Sequence, residues 1–103
     1  MRIGAILIAG AFILSAGACY GASKIDGKKL FETHCAVCHK DGGNIVNPQK
    51  TLKKADREAS GIKTASDIVK QMRNPGPGMT KFDKKMLSDK EAKAIAEYIL
   101  KKY

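Results

Sequence analysis

Two cysteines and a histidine lie close together in the sequence with a spacing that suits joint chemistry, in Cys35-Ala36-Val37-Cys38-His39. Two thiols three positions apart can reach the two vinyl groups on one edge of a porphyrin and form thioethers. The adjacent imidazole then points at the iron. The pattern therefore predicts one covalently attached haem c, bound through Cys35 and Cys38, with His39 as an axial ligand of the iron.

Three other kinds of site use parts of this pattern. A zinc site needs four ligands, but outside the motif residues 19–103 add only His34 and the distant Cys19. A thioredoxin-like redox pair requires a βαβ context, which is absent from the sequence pattern. A structural disulfide between Cys35 and Cys38 would close a loop too short to stabilise the fold much. Haem attachment is therefore the favoured interpretation.

A haem that only carries electrons also needs a ligand on the second face of its iron. His34 lies beside the motif and does not easily reach that face, so we interpret it as a surface or neighbouring residue. Met72 lies on the inward face of a predicted helix and Met86 lies two residues before the last predicted helix, positions that favour packing. Met79 follows Pro75-Gly76-Pro77-Gly78, where prolines stiffen the loop and glycines let the backbone approach a flat ring. We therefore expect Met79 to be the second ligand, which would raise the reduction potential.

The first 18 residues have the features of a signal peptide. Arg2 precedes an apolar run over 3–14, and Ala16-Gly17-Ala18 suits cleavage. The run is shorter than the roughly 20 residues that span a bilayer. Export to the bacterial envelope is therefore expected, with an uncleaved membrane anchor as the alternative.

Cleavage after Ala18 would make Cys19 the first residue of the mature chain. This resembles a bacterial lipoprotein signal, although Ala16 stands where a Leu is usual. We expect lipidation of Cys19, and the alternative is ordinary cleavage that leaves a free thiol. The predicted organisation is a signal peptide over 1–18, a linker over 19–25 and one domain over 26–103.

The predicted domain is short of large apolar residues. Leu, Ile, Val and Phe make up about 18% of residues 19–103, where the formal charge is +8, compared with +9 for the whole chain. Such a composition is typical of disorder. A porphyrin would supply the missing apolar core, so we expect the haem-free chain to be largely unfolded.

The pattern predicts an all-α domain of four to five short helices. Helices are expected from Asp26 to about His34, from Pro48 to about Glu58, and after a Thr-x-x-Asp capping box at Thr64 as far as Asn74. A second box at Ser88 opens the last helix. The inward face of that helix is apolar and consists of Ala92, Ile95, Ala96 and Ile99.

At these residues the sequence resembles class I c-type cytochromes, and more narrowly the cytochrome c6 branch and c6-like monohaem cytochromes of bacterial envelopes, some of them outer-membrane lipoproteins. The matching segments are 27–31, 35–39, 42–44, 50–52, 77–82 and 96–99. The resemblance implies a cytochrome c fold around one haem. It also implies that Gly27 and Phe31 pack against Tyr98, and that Gly78 and Phe82 adjoin the haem. The chain departs from the branch at Thr80-Lys81, where Pro-Ala is usual.

The resemblance implies one-electron transfer, not enzymatic catalysis, in an envelope or extracellular respiratory chain. Two alternatives remain: a haem-based small-ligand binder or sensor, and an accessory protein for other envelope cytochromes. The basic composition, with 16 lysines, suits redox partners that have an acidic docking surface, and it suits equally well a surface that is only solvated. We expect a monomer of the periplasm or outer membrane that binds no nucleic acid.

Overall fold

The computed structural model describes residues 25–103, and within that range the chain is entirely helical apart from turns and loops. No helix in this range is both long enough and apolar enough to cross a membrane. The predicted signal peptide and Cys19 lie outside the described residues. The helices are α1 (Gly27–His34), α2 (Ala36–His39), a single 3-10 turn (Lys40–Gly42), α3 (Lys54–Ala59), α4 (Ala65–Arg73) and α5 (Asp89–Lys102). The prediction of an all-α chain with four to five short helices is confirmed.

Three helices begin where the sequence signals place them. The carboxylate of Asp26 caps α1. Thr64 and Asp67 form a reciprocal capping box at α4, and Ser88 and Glu91 form another at α5. Each box satisfies backbone N–H groups that the first helical turn leaves without partners.

The helix predicted to start at Pro48 is wrong in its first half, because α3 begins only at Lys54. The side chain of Asn44 explains the difference. Its Oδ1 accepts from the backbone N–H groups of Val46 and Asn47, both at 3.0 Å, and its Nδ2 donates to the Lys50 carbonyl at 2.9 Å. Side-chain bonds of this kind offer the backbone an alternative to the helix and keep this segment in a loop.

The core lies where α1 and α4 pack against α5. α1 crosses α5 so closely that a Cβ at Gly27 would collide with the carbonyl oxygen of Ala94. Met72 is buried, as expected. Met86 is 47% exposed, so the prediction that it packs in the core is wrong. The buried apolar residues are Phe31, Cys35, Ile68, Met72, Phe82, Leu87, Ala92, Ile95, Ala96 and Ile99.

Candidate haem site

A cavity of about 390 Å³ brings the predicted haem-binding residues together. Cys35, Cys38 and His39 line it from the α1–α2 corner, and Met79 lines it from the loop between α4 and α5. Most of the remaining wall is apolar. Its apolar side chains include Phe31, Val46, Leu52, Ile62, Ile68, Met72, Phe82 and Ile99.

The two cysteines lie where α1 ends and α2 begins. The Cys35 N–H still bonds to the Phe31 carbonyl at 2.8 Å, and the Cys35 carbonyl accepts from the His39 N–H at 2.9 Å. One helical turn therefore separates Cys35 from Cys38 and His39, which places all three on the cavity side. The two cysteines form no disulfide. In the chain without haem, burial raises the pKa of the Cys35 thiol to about 11.

A hydrogen bond determines which ring nitrogen of His39 is free to bind a metal. Its Nδ1 donates to the Gly43 carbonyl at 2.7 Å. A carbonyl oxygen can only accept, so Nδ1 carries the proton and Nε2 keeps its lone pair. The 3-10 turn makes the bond possible, because the chain doubles back through positive φ angles at Asp41 (55°) and Gly42 (77°). Metal-binding histidines are commonly oriented in this way.

The loop that carries Met79 approaches the chain segment after α2. Gly78 has φ +90°, a backbone angle that side chains rarely adopt, and a Cβ there would lie 2.7 Å from Cγ1 of Val46. Gly76, two residues earlier, also lines the cavity, and a Cβ there would meet no other residue within 4 Å. The loop ends at Phe82, which is buried and whose N–H bonds to the Met72 carbonyl at 3.0 Å. Met79 itself is half-buried against the core.

Arg57 is a residue of this cavity that the sequence reasoning missed. It is only 5% exposed. Its Nε donates to the Leu52 carbonyl at 2.7 Å and its Nη2 to the Tyr103 carbonyl at 3.1 Å. Beside it, the carboxylate of Asp56 accepts from the Thr51 hydroxyl. A buried cation in a largely apolar wall supplies counter-charge for an anionic group bound there.

These residues fit a haem c. The cavity volume lies in the range of cofactor pockets, which is about 300–1,000 Å³. Its apolar wall suits a porphyrin plate, and the guanidinium of Arg57 suits the propionates. Two thiols, one imidazole with a free Nε2 and one thioether line the same space. Haem bound there would supply one-electron cycling between ferrous and ferric iron.

Comparison with known proteins gives consistent matches. Residues 22–99 match the family model described as cytochrome c oxidase, cbb3-type, subunit III. Cytochrome c6 of Synechocystis is 40% identical over 95 residues, covering 92% of this chain and 78% of the relative. Cytochrome c6 of Cyanidium caldarium is 39% identical over 83 residues, covering 81% of this chain and 74% of the relative.

Solved structures agree with these sequence matches. OmcF, an outer-membrane cytochrome of Geobacter sulfurreducens, superposes with a TM-score of 0.73 at 49% identity, covering 75% of this chain and 98% of that one. Cytochrome c6C of Synechococcus has a TM-score of 0.68 at 35% identity, covering 73% and 90% respectively. The chain belongs to the cytochrome c6-like family of monohaem c-type cytochromes. It is an electron-transfer protein that carries one covalently bound haem c.

Of the two residues of the first helix that the family resemblance placed against Tyr98, Phe31 makes that contact in this cytochrome. The rings of Phe31 and Tyr98 lie 5.3 Å apart and are tilted by 54°. Gly27 was expected to pack against Tyr98, but it lies instead against the backbone of Ala94, where α1 crosses α5. His34 lines the haem cavity and meets Phe82 edge-on at 6.2 Å.

The rest of the described chain offers the cytochrome little competing metal chemistry. Among residues 25–103, no group of three or more His, Cys, Asp or Glu side chains could hold a metal ion. A larger, shallower depression of about 610 Å³ lies along α4, but neither cysteine nor histidine lines it. The cavity at the α1–α2 corner is therefore the site to which we assign the redox chemistry.

Proposed function

We propose that this cytochrome carries single electrons through a haem that Cys35 and Cys38 attach and that His39 and Met79 ligate. The observation that carries the proposal is the convergence of Met79 with the cysteine–histidine motif on one cavity. The hydrogen bond from His39 to Gly43 adds support, because it leaves Nε2 free to ligate. His39 and Met79 would together hold the iron and leave it no open position for a substrate. The protein is therefore a carrier and not an enzyme.

Absorption spectroscopy of the purified holoprotein tests the ligand pair. We expect low-spin haem in both oxidation states. The ferric form should also have the weak band near the red end of the spectrum that marks Met ligation, called here the red-end band. Met79→Ala should remove this band and open the iron to carbon monoxide in the reduced form. Met86→Ala is the matched control, because Met86 is exposed and does not line the cavity.

The same spectra separate the carrier from a haem-based sensor. A sensor must bind a small ligand readily, so fast and tight binding of carbon monoxide by the unaltered reduced protein would favour that function. A ferric protein that is high-spin at neutral pH would contradict ligation by Met79. An accessory role would instead be indicated by a deletion strain that loses other cytochromes and regains them with a variant unable to transfer electrons.

For the cellular setting, we propose an exported protein of a bacterial envelope, anchored by lipid on Cys19 after removal of residues 1–18. The likeness to OmcF, an outer-membrane cytochrome, supports this location. The mass of the purified mature protein tests it, because one spectrum reports the cleavage point, one haem and any acyl chains. In Cys19→Ala the lipid mass should be absent while the haem mass remains. A mature mass without lipid would contradict the proposed anchoring through Cys19, while the proposed export would stand.

We propose that the partner is a redox protein with an acidic docking surface, and that this cytochrome binds it as a monomer. Every lysine among residues 25–103 is exposed, and Lys81 lies two residues from Met79. Electron-transfer rates should therefore fall as salt rises. Lys81→Glu should slow the reaction more than Lys93→Glu, because Lys93 already faces Glu97 at 3.9 Å. Equal rates for the two variants would argue against docking beside Met79.

A further inference from the structure

Arg73, the last residue of α4, joins three separate parts of the chain. Its Nη1 donates to the Leu87 carbonyl at 2.7 Å and to the Phe82 carbonyl at 3.2 Å, and its Nη2 donates to Oδ1 of Asp89 at 3.0 Å. The side chain is only 20% exposed. Charge-assisted bonds from a mostly buried guanidinium are among the stronger hydrogen bonds of a protein.

These bonds lie at the base of the loop that carries Met79. The loop leaves α4 after Arg73 and returns at Phe82, whose N–H bonds to the Met72 carbonyl. Within the described chain, no hydrogen bond joins residues 75–81 to another segment. Apolar packing, such as that of Gly78 beside Val46, and the two ends of the loop therefore determine where Met79 lies.

We propose that Arg73 is a positioning residue for Met79. The Arg73 guanidinium holds the chain segment that follows the loop, at Phe82 and Leu87. It thereby keeps the Met79 thioether within reach of the haem iron and limits replacement of the thioether by other ligands. The inference rests on the proposed ligation by Met79. Arg73 itself touches neither the thioether nor the iron site, because it does not line the haem cavity.

The forked shape of arginine matters for this role. One guanidinium reaches two carbonyls and a carboxylate in three directions, whereas a lysine ammonium is a compact point charge. Lys84, the other cation near Asp89, lies 3.5 Å from Oδ2 and its side chain is 76% exposed. Lys84 makes no bond to Phe82 or Leu87, so it cannot replace Arg73.

Imidazole binding to the ferric holoprotein tests the proposal, with the red-end band as a second readout. In Arg73→Met we expect imidazole to bind about tenfold tighter or more, the ratio that corresponds to losing one charge-assisted hydrogen bond from the loop base. The red-end band should also disappear at lower pH than in the unaltered protein. Arg73→Lys should fall between the two, because it keeps the charge but not the fork.

Two control variants isolate the loop contacts. Asp89→Asn keeps both carbonyl bonds and removes only the ion pairs that the exposed Asp89 carboxylate forms with Arg73 and Lys84, so imidazole affinity should change less than twofold. Lys70→Met removes an exposed cation from the same helix and should behave like the unaltered protein. If Arg73→Met does not retain haem, the imidazole affinity of Arg73→Lys is compared with that of Lys70→Met instead.

Two results would overturn the proposal, and they differ from each other. A lower melting temperature in Arg73→Met, with unchanged imidazole affinity and an unchanged red-end band, would assign Arg73 to general stability alone. Absence of the red-end band from the unaltered protein would instead remove Met79 from the iron, and the proposed function would fail with it. Tighter imidazole binding with an intact fold supports the positioning role.

Discussion

Substituting Gly78 by alanine should displace Met79 from the iron, and the structure gives the size of the effect. The φ of +90° at this position disfavours any Cβ, at a cost of about 1–2 kcal/mol. The new Cβ would also lie 2.7 Å from Cγ1 of Val46. Val46 is exposed and can turn aside, at a cost of about 1 kcal/mol. The loop conformation that holds Met79 at the iron should therefore be destabilised by about 2–3 kcal/mol.

A pH titration of the ferric holoprotein measures this loss. With the proposed ligation, we expect the red-end band to disappear when another ligand replaces Met79 at high pH. A loss of about 2–3 kcal/mol should move that transition down by roughly two pH units, at about 1.36 kcal/mol per unit. Gly61→Ala is the matched control, because it has a similar φ of +77°, its Cβ would meet no atom within 4 Å, and it does not line the haem cavity. Gly61→Ala should leave the transition within about 0.3 units of its original value.

A double variant separates the two causes. Gly78→Ala combined with Val46→Ala removes the collision but keeps the strained φ, so it should recover about a third of the shift. If Gly78→Ala titrates like Gly61→Ala, the loop does not need glycine at this position. The reasoning that connects Gly78 to Met79 would then be refuted.

Three further predictions concern the fold around the site. Gly27→Ala should lower the melting temperature of the holoprotein far more than Ala94→Gly, because the added Cβ meets backbone and cannot turn aside; similar melts would contradict the close crossing of α1 and α5. Ile95→Ala should cost about 2–5 kcal/mol in denaturant unfolding, since Ile95 is 0% exposed; a loss below 1 kcal/mol would indicate a loose core. Hydrogen bonds from the Thr64 and Lys63 backbone lower the pKa of Asp67. The charged carboxylate therefore stabilises the fold above its ordinary pKa of 3.8, and this stabilisation is lost as the pH falls through and below that value. Asp67→Asn should therefore lose stability at neutral pH and have a flatter acid limb in thermal melts, and an unchanged acid limb would exclude this role.

Signals that act within a few residues predicted much of this fold. The capping boxes at Thr64 and Ser88 each involve a side chain and a backbone N–H three residues apart, so the sequence contains the whole interaction. The Pro48 prediction used the same local logic and was wrong. There the competing bonds from Asn44 reach as far as Lys50, and residue propensities alone do not reveal such a bond.

The haem cavity was predictable in part. The spacing of Cys35, Cys38 and His39 is a local signal for attachment, and these residues do line one cavity. Arg57 and Arg73 were missed because their partners are up to 46 residues away. Composition held one clue. In a chain with 16 lysines and three arginines, the two arginines of the described range bond to backbone carbonyls, where a forked donor is useful.

The composition of the chain also predicts how folding depends on haem. With about 18% Leu, Ile, Val and Phe in residues 19–103, the apolar core is small for a chain of this charge. Haem would add an apolar plate and tie His39 to Met79 across the molecule. We therefore expect the haem-free mature chain to be largely unfolded by circular dichroism. A compact haem-free chain with a cooperative melt would contradict this expectation.

A spectroelectrochemical titration of the purified holoprotein tests whether one haem ligated by His39 and Met79 carries one electron. The absorption of the haem and the red-end band are followed together as the potential is changed. We expect a single one-electron transition between two low-spin states, with the red-end band present only in the ferric form. A high-spin ferric form at neutral pH, or a transition without that band, would contradict it.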